Sequence, residues 1–193
     1  LGAQWPFVPL LDAKKVFLYN FPIVMKGVRM MEKKEYCFED FLLDVHPAYH
    51  EFVQQTHEML QQRGYKMKIE MAKSGFLVSY FGKKTKRSIA NFVFRKSGLV
   101  VRIYGECVNQ YLDFMETLPD SMIKAIDKAP ICKRLVNPTA CNGRCPMGYD
   151  FMLKEKHQQK CRYNGFMFPV NDEHVSFIKT FLEREAEERS KAC

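Results

Sequence analysis

The sequence predicts an α+β domain: an antiparallel four-stranded meander extended by a C-terminal hairpin, with helices packed on one face. Three observations predict it. The hydrophobic period changes from helical to two-residue near Gly64. The tripeptide Lys-Ser-Gly occurs at 73–75 and again at 96–98, each time between apolar runs, as a hairpin turn would. One of the two sheet faces that these reversals lay out is wholly apolar and must be covered.

In chain order, residues 38–43 form a short lead-in turn or helix. "HPAYHEFVQQTHEMLQQRG" is an amphipathic helix, with Pro47 suited to its first position and Gly64 to the residue past its end. Tyr49, Phe52, Val53, Thr56, Met59 and Leu60 share its apolar side. Strands are expected near 65–72, 75–81, 87–95 and 99–105, with Gly75 and Gly98 taking the positive φ of the turns. Hairpin parity then places Met67, Ile69, Met71, Phe76, Val78, Tyr80, Ala90, Phe92, Phe94, Leu99, Val101 and Ile103 on one face. The other face is mixed. It carries Lys66, Lys68, Glu70, Ser79, Asn91 and Arg102 among Leu77, Phe81, Ile89, Val93, Val100 and Tyr104, and is half-wet or partly covered.

"CVNQYLDFMETL" and "PDSMIKAIDKA" form a helix interrupted before Pro119, burying Tyr111, Leu112, Met115, Met122, Ile123 and Ile126. Residues 131–147 are a cysteine-containing loop, and 148–170 a hairpin with its tip at Glu155 to Gln158. Residues 172–190 form the last helix, capped by Asn171 or Asp172 and anchored by Val175, Phe177, Ile178, Phe181 and Leu182. Beyond Glu183 it is polar and expected to fray.

The chain has 193 residues, 47% apolar and 27% charged, which suits one packed domain with a core rich in Phe and Tyr. It holds no apolar run long enough to span a membrane. The net charge of +8 is dispersed. Seven cysteines, an odd number without a secretory signal ahead of them, favour reduced thiols in a cytoplasm. The first thirty residues have weak periodicity and three prolines. Lys26-Gly27-Val28 can be encoded as AAA-GGA-GTN, which contains a bacterial ribosome-binding sequence ahead of a start at Met30 or Met31. Residues 1–30 are therefore expected to be a non-native upstream segment, the alternative being an N-terminal arm packed by Trp5, Phe7 and Phe17. They carry four cations and one anion, so without them the net charge falls to +5. Residues 31–193 form the single α+β domain.

"CNGRCPMGYDFMLKEKHQQKCRY" reads C-x3-C-x11-H-x3-C, close to zinc-finger spacing. With a hairpin through 148–170, Cys145 lies some 23 Å, about seven strand residues, from the level of Cys161. Cys141, Cys145, His157 and Cys161 then cannot share one ion. Were "FMLKEKHQQK" helical instead, His157 and Cys161 would be an i, i+4 pair and a finger-like site would become feasible. The strand-like "CRYNGFMF" favours the hairpin. Cys132, Cys141 and Cys145 survive either way as a smaller thiol set, for a structural zinc, for a redox pair at Cys141 and Cys145, or as ordinary structural thiols. Cys161 is the weaker fourth ligand.

His46, His50 and His57 flank the apolar stripe of their helix and read as boundary histidines. "KKTKR" at 83–87 is a basic turn that could meet phosphate, but a solvated hairpin tip explains it equally, and no RNA-binding sheet motif is present. Arg162, beside Lys160 on one strand face, is an anion contact or a surface pair. Dinucleotide, Walker, HExxH and GxSxG patterns are missing.

The tail "CNGRCPMGYDF…KCRYNGFMFPV" resembles that of a family of small, uncharacterised α+β proteins of Firmicutes-type bacteria, with C-x3-C, Gly-Tyr-x-Phe and Lys-Cys-Arg-Tyr in this order. The resemblance covers most of 31–185, implies the hairpin and the later start, and carries no activity with it. Its most recognisable positions are Cys141, Cys145 and Cys161.

Taken together, the residues favour a non-enzymatic cytoplasmic binding or regulatory module for a small ligand or protein partner, without a membrane. Its contact surface would be the mixed sheet face, through Phe81, Arg102 and Tyr104, with the Cys132–Cys145 loop, which zinc could order. The alternatives are a thiol-dependent enzyme or redox sensor at Cys141 and Cys145, and, less favoured, nucleic-acid binding through the 83–87 turn.

Overall fold

The computed structural model describes residues 35–191. The chain separates into two units, Leu1–Lys34 and Glu35–Cys193. The expectations for the first thirty residues lie outside the described residues.

The helix α1 (Phe38–Asp44) opens with the Asp40 carboxylate accepting from the Cys37 N–H at 2.9 Å, which satisfies one of the unpaired donors of its first turn. Its buried residue, Phe41, packs edge-on against Phe76 and Phe94 of the sheet. A one-turn 3-10 helix, Pro47–Tyr49, leads into α2 (His50–Gln62), where Val53, Thr56 and Leu60 are buried. Thr56 can be buried because its hydroxyl donates to the Phe52 carbonyl at 2.7 Å. The chain leaves α2 through Gly64, at φ +82°.

The meander follows as β1 (Tyr65–Ala72), β2 (Gly75–Gly82), β3 (Ser88–Arg95) and β4 (Gly98–Ile103), all antiparallel. Gly75 and Gly98, each the last residue of a Lys-Ser-Gly, have φ of +116° and +105°. Cross-strand partners run Met67–Tyr80–Ala90–Ile103 and Ile69–Val78–Phe92–Val101, as hairpin parity requires. One bulge interrupts the ladder. Tyr80 pairs with Ala90 and Phe81 with Ser88, so Ile89 is the extra residue and is fully buried. The mixed face is more covered than expected, since Asn91, Val93, Val100 and Tyr104 are all buried.

After β4 come α3 (Leu112–Glu116) and α4 (Asp120–Lys128), broken at Pro119. Tyr111, Met115, Met122 and Ile126 are buried here. The expected loop contains one short helix, α5 (Lys133–Val136).

The C-terminal hairpin consists of β5 (Tyr149–Leu153) and β6 (Lys156–Lys160), a two-stranded sheet of its own. Its tip is Lys154-Glu155, both at positive φ (46° and 60°), rather than Glu155 to Gln158. The reason lies away from the turn. Tyr149, Phe151 and Leu153 are buried, and so are Gln158 and Lys160 across from them. Lys160 donates to the carbonyls of Asp127 (2.8 Å) and Ala129 (3.2 Å) at the C-terminal end of α4, where a cation also complements the helix dipole. Gln158 donates to the Asp127 carboxylate at 2.6 Å. These contacts fix the register, and the turn follows.

The strand expected to continue through Cys161 is broken by a tight turn, with Gly165 N–H donating to the Cys161 carbonyl at 2.7 Å. A Cβ at Gly165 would come within 2.8 Å of the Tyr149 ring. Beyond the turn, β7 (Met167–Pro169), with β6 its predecessor in chain order, adds to the main sheet beside β4, giving the order β1-β2-β3-β4-β7. Phe168, paired with Val101, extends the apolar face.

The final helix, α6 (Val175–Lys191), is capped by Asn171, whose side-chain oxygen accepts from His174 N–H at 2.9 Å. Ile178, Phe181 and Leu182 are buried on the core, and Phe181 touches Phe166, Phe168, Tyr111 and Phe114. Full burial of one such ring contributes about 1.5–3 kcal/mol. The helix does not fray beyond Glu183. Glu185 and Ala186 are buried, and the helix continues to Lys191. Among the described residues no helix is long and apolar enough to cross a membrane.

Candidate functional site: a cationic cleft over a buried ion network

Where β4 ends, residues 104–107 turn across the C-terminal half of α6, and the Glu185 carboxylate fills the turn. It accepts from the N–H groups of Glu106 (2.9 Å) and Cys107 (3.1 Å), from the Tyr111 hydroxyl, and from Arg189 Nε at 2.6 Å. A fully buried carboxylate is tolerable only with this many charge-assisted donors. Burial, and then the Glu185 charge, hold the Tyr111 phenol far above the usual range, so it remains a donor. Arg189 uses its other N–H groups on the carbonyls of Ser88 (3.0 Å) and Tyr104 (2.5 Å), tying α6 to β3 and to the end of β4.

Glu106 is the second centre. Arg162 pairs with it directly, Arg87 lies 3.4 Å away and Arg189 3.9 Å. The Arg162 guanidinium also stacks over the Tyr104 ring at 5.5 Å, and Tyr163 meets that ring edge-on at 6.2 Å.

Above this network opens a cleft of about 990 Å³. Arg63 and Tyr65 line it from the α2–β1 junction, and Lys83, Lys84 and Arg87 from the β2–β3 turn. Glu106 and Cys107 form its floor, with Glu187 and Arg189 contributed by α6. The turn itself is tightly built. Gly82 and Arg87 are joined by an N–H to carbonyl bond of 3.0 Å, Lys86 N–H returns to the Gly82 carbonyl at 3.0 Å, and a Cβ on Gly82 would meet the Thr85 hydroxyl at 2.5 Å. Burial first, then the Glu185 charge, push the Cys107 thiol up to about 11, which favours its neutral form.

The sequence-derived site residues are distributed as follows. Tyr104 and Arg102 come together through Tyr163, whose ring has the Arg102 guanidinium 6.0 Å from its centre. Arg102 donates to the Met167 sulfur at 3.9 Å, and its Nε is buried without an acceptor. Phe81 is half-buried two strands away on β2. None of the three lines the cleft, although Phe81 adjoins Gly82 in its wall and Tyr104 lies two residues before Glu106 in its floor. Arg162 is neither a surface pair nor a free anion contact, being committed to Glu106 and Tyr104.

The thiols are not gathered. Among the described residues no three His, Cys, Asp or Glu side chains are grouped as metal ligands. Cys132 is buried against Gly148, where a Cβ would come within 2.8 Å of its sulfur, and its N–H donates to the Gln159 carbonyl at 2.9 Å. Cys141 is exposed, Cys145 and Cys161 half-buried, and the Cys145 carbonyl is held by Arg134. The Asn164 amide reaches the Cys161 sulfur at 3.9 Å. His157 instead pairs with Asp150 across the hairpin, at 2.5 Å. His57 stacks on Phe38 and bonds the Tyr80 hydroxyl at 2.7 Å, a boundary histidine whose pKa burial lowers.

Sequence reasoning missed Glu106, Glu185 and Arg189. One signal was present: 178, 181, 182, 185 and 189 continue a single helical stripe, so the Glu and Arg lie on the buried side. The basic turn was noticed, but not the cleft that it walls. Compared with known proteins, the chain matches no family model, no curated protein and no solved structure.

Proposed function

We propose that the protein is a binding module whose ligand is a small anionic molecule held in the cleft beside the 83–87 turn. The observation that carries this reading is the imbalance of charge on the walls. Arg63, Lys83, Lys84, Arg87 and Arg189 face Glu106 and Glu187. Both carboxylates already have cations from outside the cleft lining, Glu106 the Arg162 guanidinium and Glu187 the Lys191 ammonium at 3.0 Å. Lys83 and Lys84 have no ion-pair partner among the described residues. Cations drawn together from three elements repel one another until an anion enters. The volume lies at the upper end of the range of small-molecule sites, about 300–1,000 Å³. The neutral Cys107 thiol in the floor supports a binding role over a thiol-dependent reaction there.

Calorimetric titration of the full chain with a panel of organic anions tests the reading. Saturable binding is expected at low ionic strength, weaker as salt is added, and weaker by roughly ten-fold when Lys83 and Lys84 are both replaced by Ala. Binding that survives the double replacement unchanged removes the cleft as the site.

A further inference from the structure

Resting on the cleft reading above, we infer that the ligand's anionic group is a phosphate ester, and that Arg87 is the residue that leaves Glu106 to clamp it. The three arginines around Glu106 are unequal. The side chains of Arg162 and Arg189 are only 10% and 11% exposed, whereas that of Arg87 is 59% exposed and makes one contact of 3.4 Å. When Arg87 turns away, Glu106 keeps two guanidinium partners, so no buried charge is stranded. Arg162 and Arg189 cannot be released so cheaply, because each also supports the fold, at Tyr104 and at Glu185.

The turn carrying Arg87 has what a phosphate needs. Lys83 and Lys84 sit on it without ion partners, and both line the cleft. The N–H groups of Lys83, Lys84 and Thr85 have no acceptor among the described residues. A guanidinium fork matches two phosphate oxygens at once, and consecutive free N–H groups suit an anion. A phosphate monoester brings about two negative charges and three acceptor oxygens, enough to engage two ammonium groups and a guanidinium together. A single carboxylate has half the charge and leaves the lysines repelling one another. Cleft volume and the Tyr65 ring leave room for the remainder of the molecule.

The probes are sodium pyrophosphate and malonate, titrated into the full chain by calorimetry, with the ligand-free thermal midpoint of each variant as a check on folding. Pyrophosphate should bind at least about ten-fold more tightly than malonate. Arg87→Gln should weaken pyrophosphate by about ten-fold. Glu106→Gln should tighten it, and this gain should shrink in the Arg87→Gln background, because the two residues compete for one contact. The Arg87 Nε–H resonance should move during the titration, a readout that does not depend on any variant folding.

Equal affinity for the two probes overturns the phosphate preference and leaves the anionic cleft standing. An unshifted Arg87 resonance, or an Arg87→Gln chain that binds pyrophosphate as the parent does, overturns the clamp alone. No binding of either probe sinks both readings. Two further arms identify the source of the phosphate. Flotation with phosphatidic acid vesicles, competed by pyrophosphate, assigns a lipid headgroup, and retention only of soluble phosphate esters assigns a metabolite. Affinity that climbs with oligonucleotide length overturns the small ligand in favour of a nucleic acid.

Discussion

The meander and the C-terminal hairpin are both antiparallel, yet they are specified in different ways. In the meander the first and last reversals carry their own turn chemistry, a glycine at positive φ after Lys-Ser, and the alternation of apolar residues allows one register. In β5–β6 the turn residues are Lys154 and Glu155, which favour no reversal, and the strand opposite Tyr149 and Phe151 holds Lys160 and Gln158. That register is held by hydrogen bonds to the end of α4, residues distant in sequence. The same contrast divides α6. Its first half is anchored by Ile178, Phe181 and Leu182, its second by Glu185 and Arg189. Apolar periodicity specifies the meander and the first half of α6, and buried polar pairing specifies the hairpin and the second half of α6, which forms one wall of the cleft.

The largest effect that would separate the two halves is loss of Glu185. Glu185→Ala leaves the Arg189 Nε–H, the Tyr111 hydroxyl and two backbone N–H groups without their acceptor. It should lower stability by about 3–5 kcal/mol in chemical denaturation. Hydrogen exchange should show the loss concentrated at residues 104–107 and the last turns of α6, with β1–β2 protected to nearly the global limit. Uniform loss of protection would mean that the two halves are one cooperative unit.

Next comes the hairpin's own anchor. Lys160→Met keeps the aliphatic stem but leaves the Asp127 and Ala129 carbonyls without their donor. A cost of about 1–3 kcal/mol is expected. If polar contacts set the register, amide cross-peaks between the two strands should weaken or shift in this variant. Unchanged strand pairing would return the register to the apolar residues Tyr149, Phe151 and Leu153.

How much was legible follows from the same physics. Every residue placed on the apolar face by hairpin parity falls in the observed register, because parity depends on local spacing alone. The break at Pro119 and the Asn171 cap are equally local. The hairpin tip and the buried end of α6 were not legible. Glu185 meets Tyr111 and Glu106 across 74 and 79 residues, and a glutamate in a helical pattern reads as a solvent residue until its partners are known. The thiol set failed as a unit for a related reason. Cys132 is drawn inward by Gly148 and β6 while Cys141 stays exposed, so closeness in the chain did not become convergence in space.

A smaller effect probes the meander. Gly75→Ala asks an L-residue to adopt φ +116° with its Cβ 3.2 Å from the Phe94 side chain. It should cost about 1–2 kcal/mol by thermal denaturation without moving the register. Gly98→Ala, where a Cβ meets nothing within 4 Å, should show the conformational part of that cost alone. Equal losses would assign the whole effect to φ, and a larger loss at Gly75 would measure the crowding against Phe94.

The smallest effect bears most directly on the contrast. Replacing Lys154 and Glu155 with Asn and Gly supplies the residues that a two-residue turn with both φ positive prefers. Because the tip already has this geometry, the change relieves two strained non-glycine positions and should stabilise the chain by about 0.4–1 kcal/mol in thermal denaturation. Lys154 also lies 3.7 Å from Asp120, but that exposed pair offsets little of the gain. The stabilisation should be nearly the same in the Lys160→Met background if turn and anchor act independently. Restored strand pairing there would show that a sufficient turn can take over the register from α4, so that the hairpin would then be specified as the meander is.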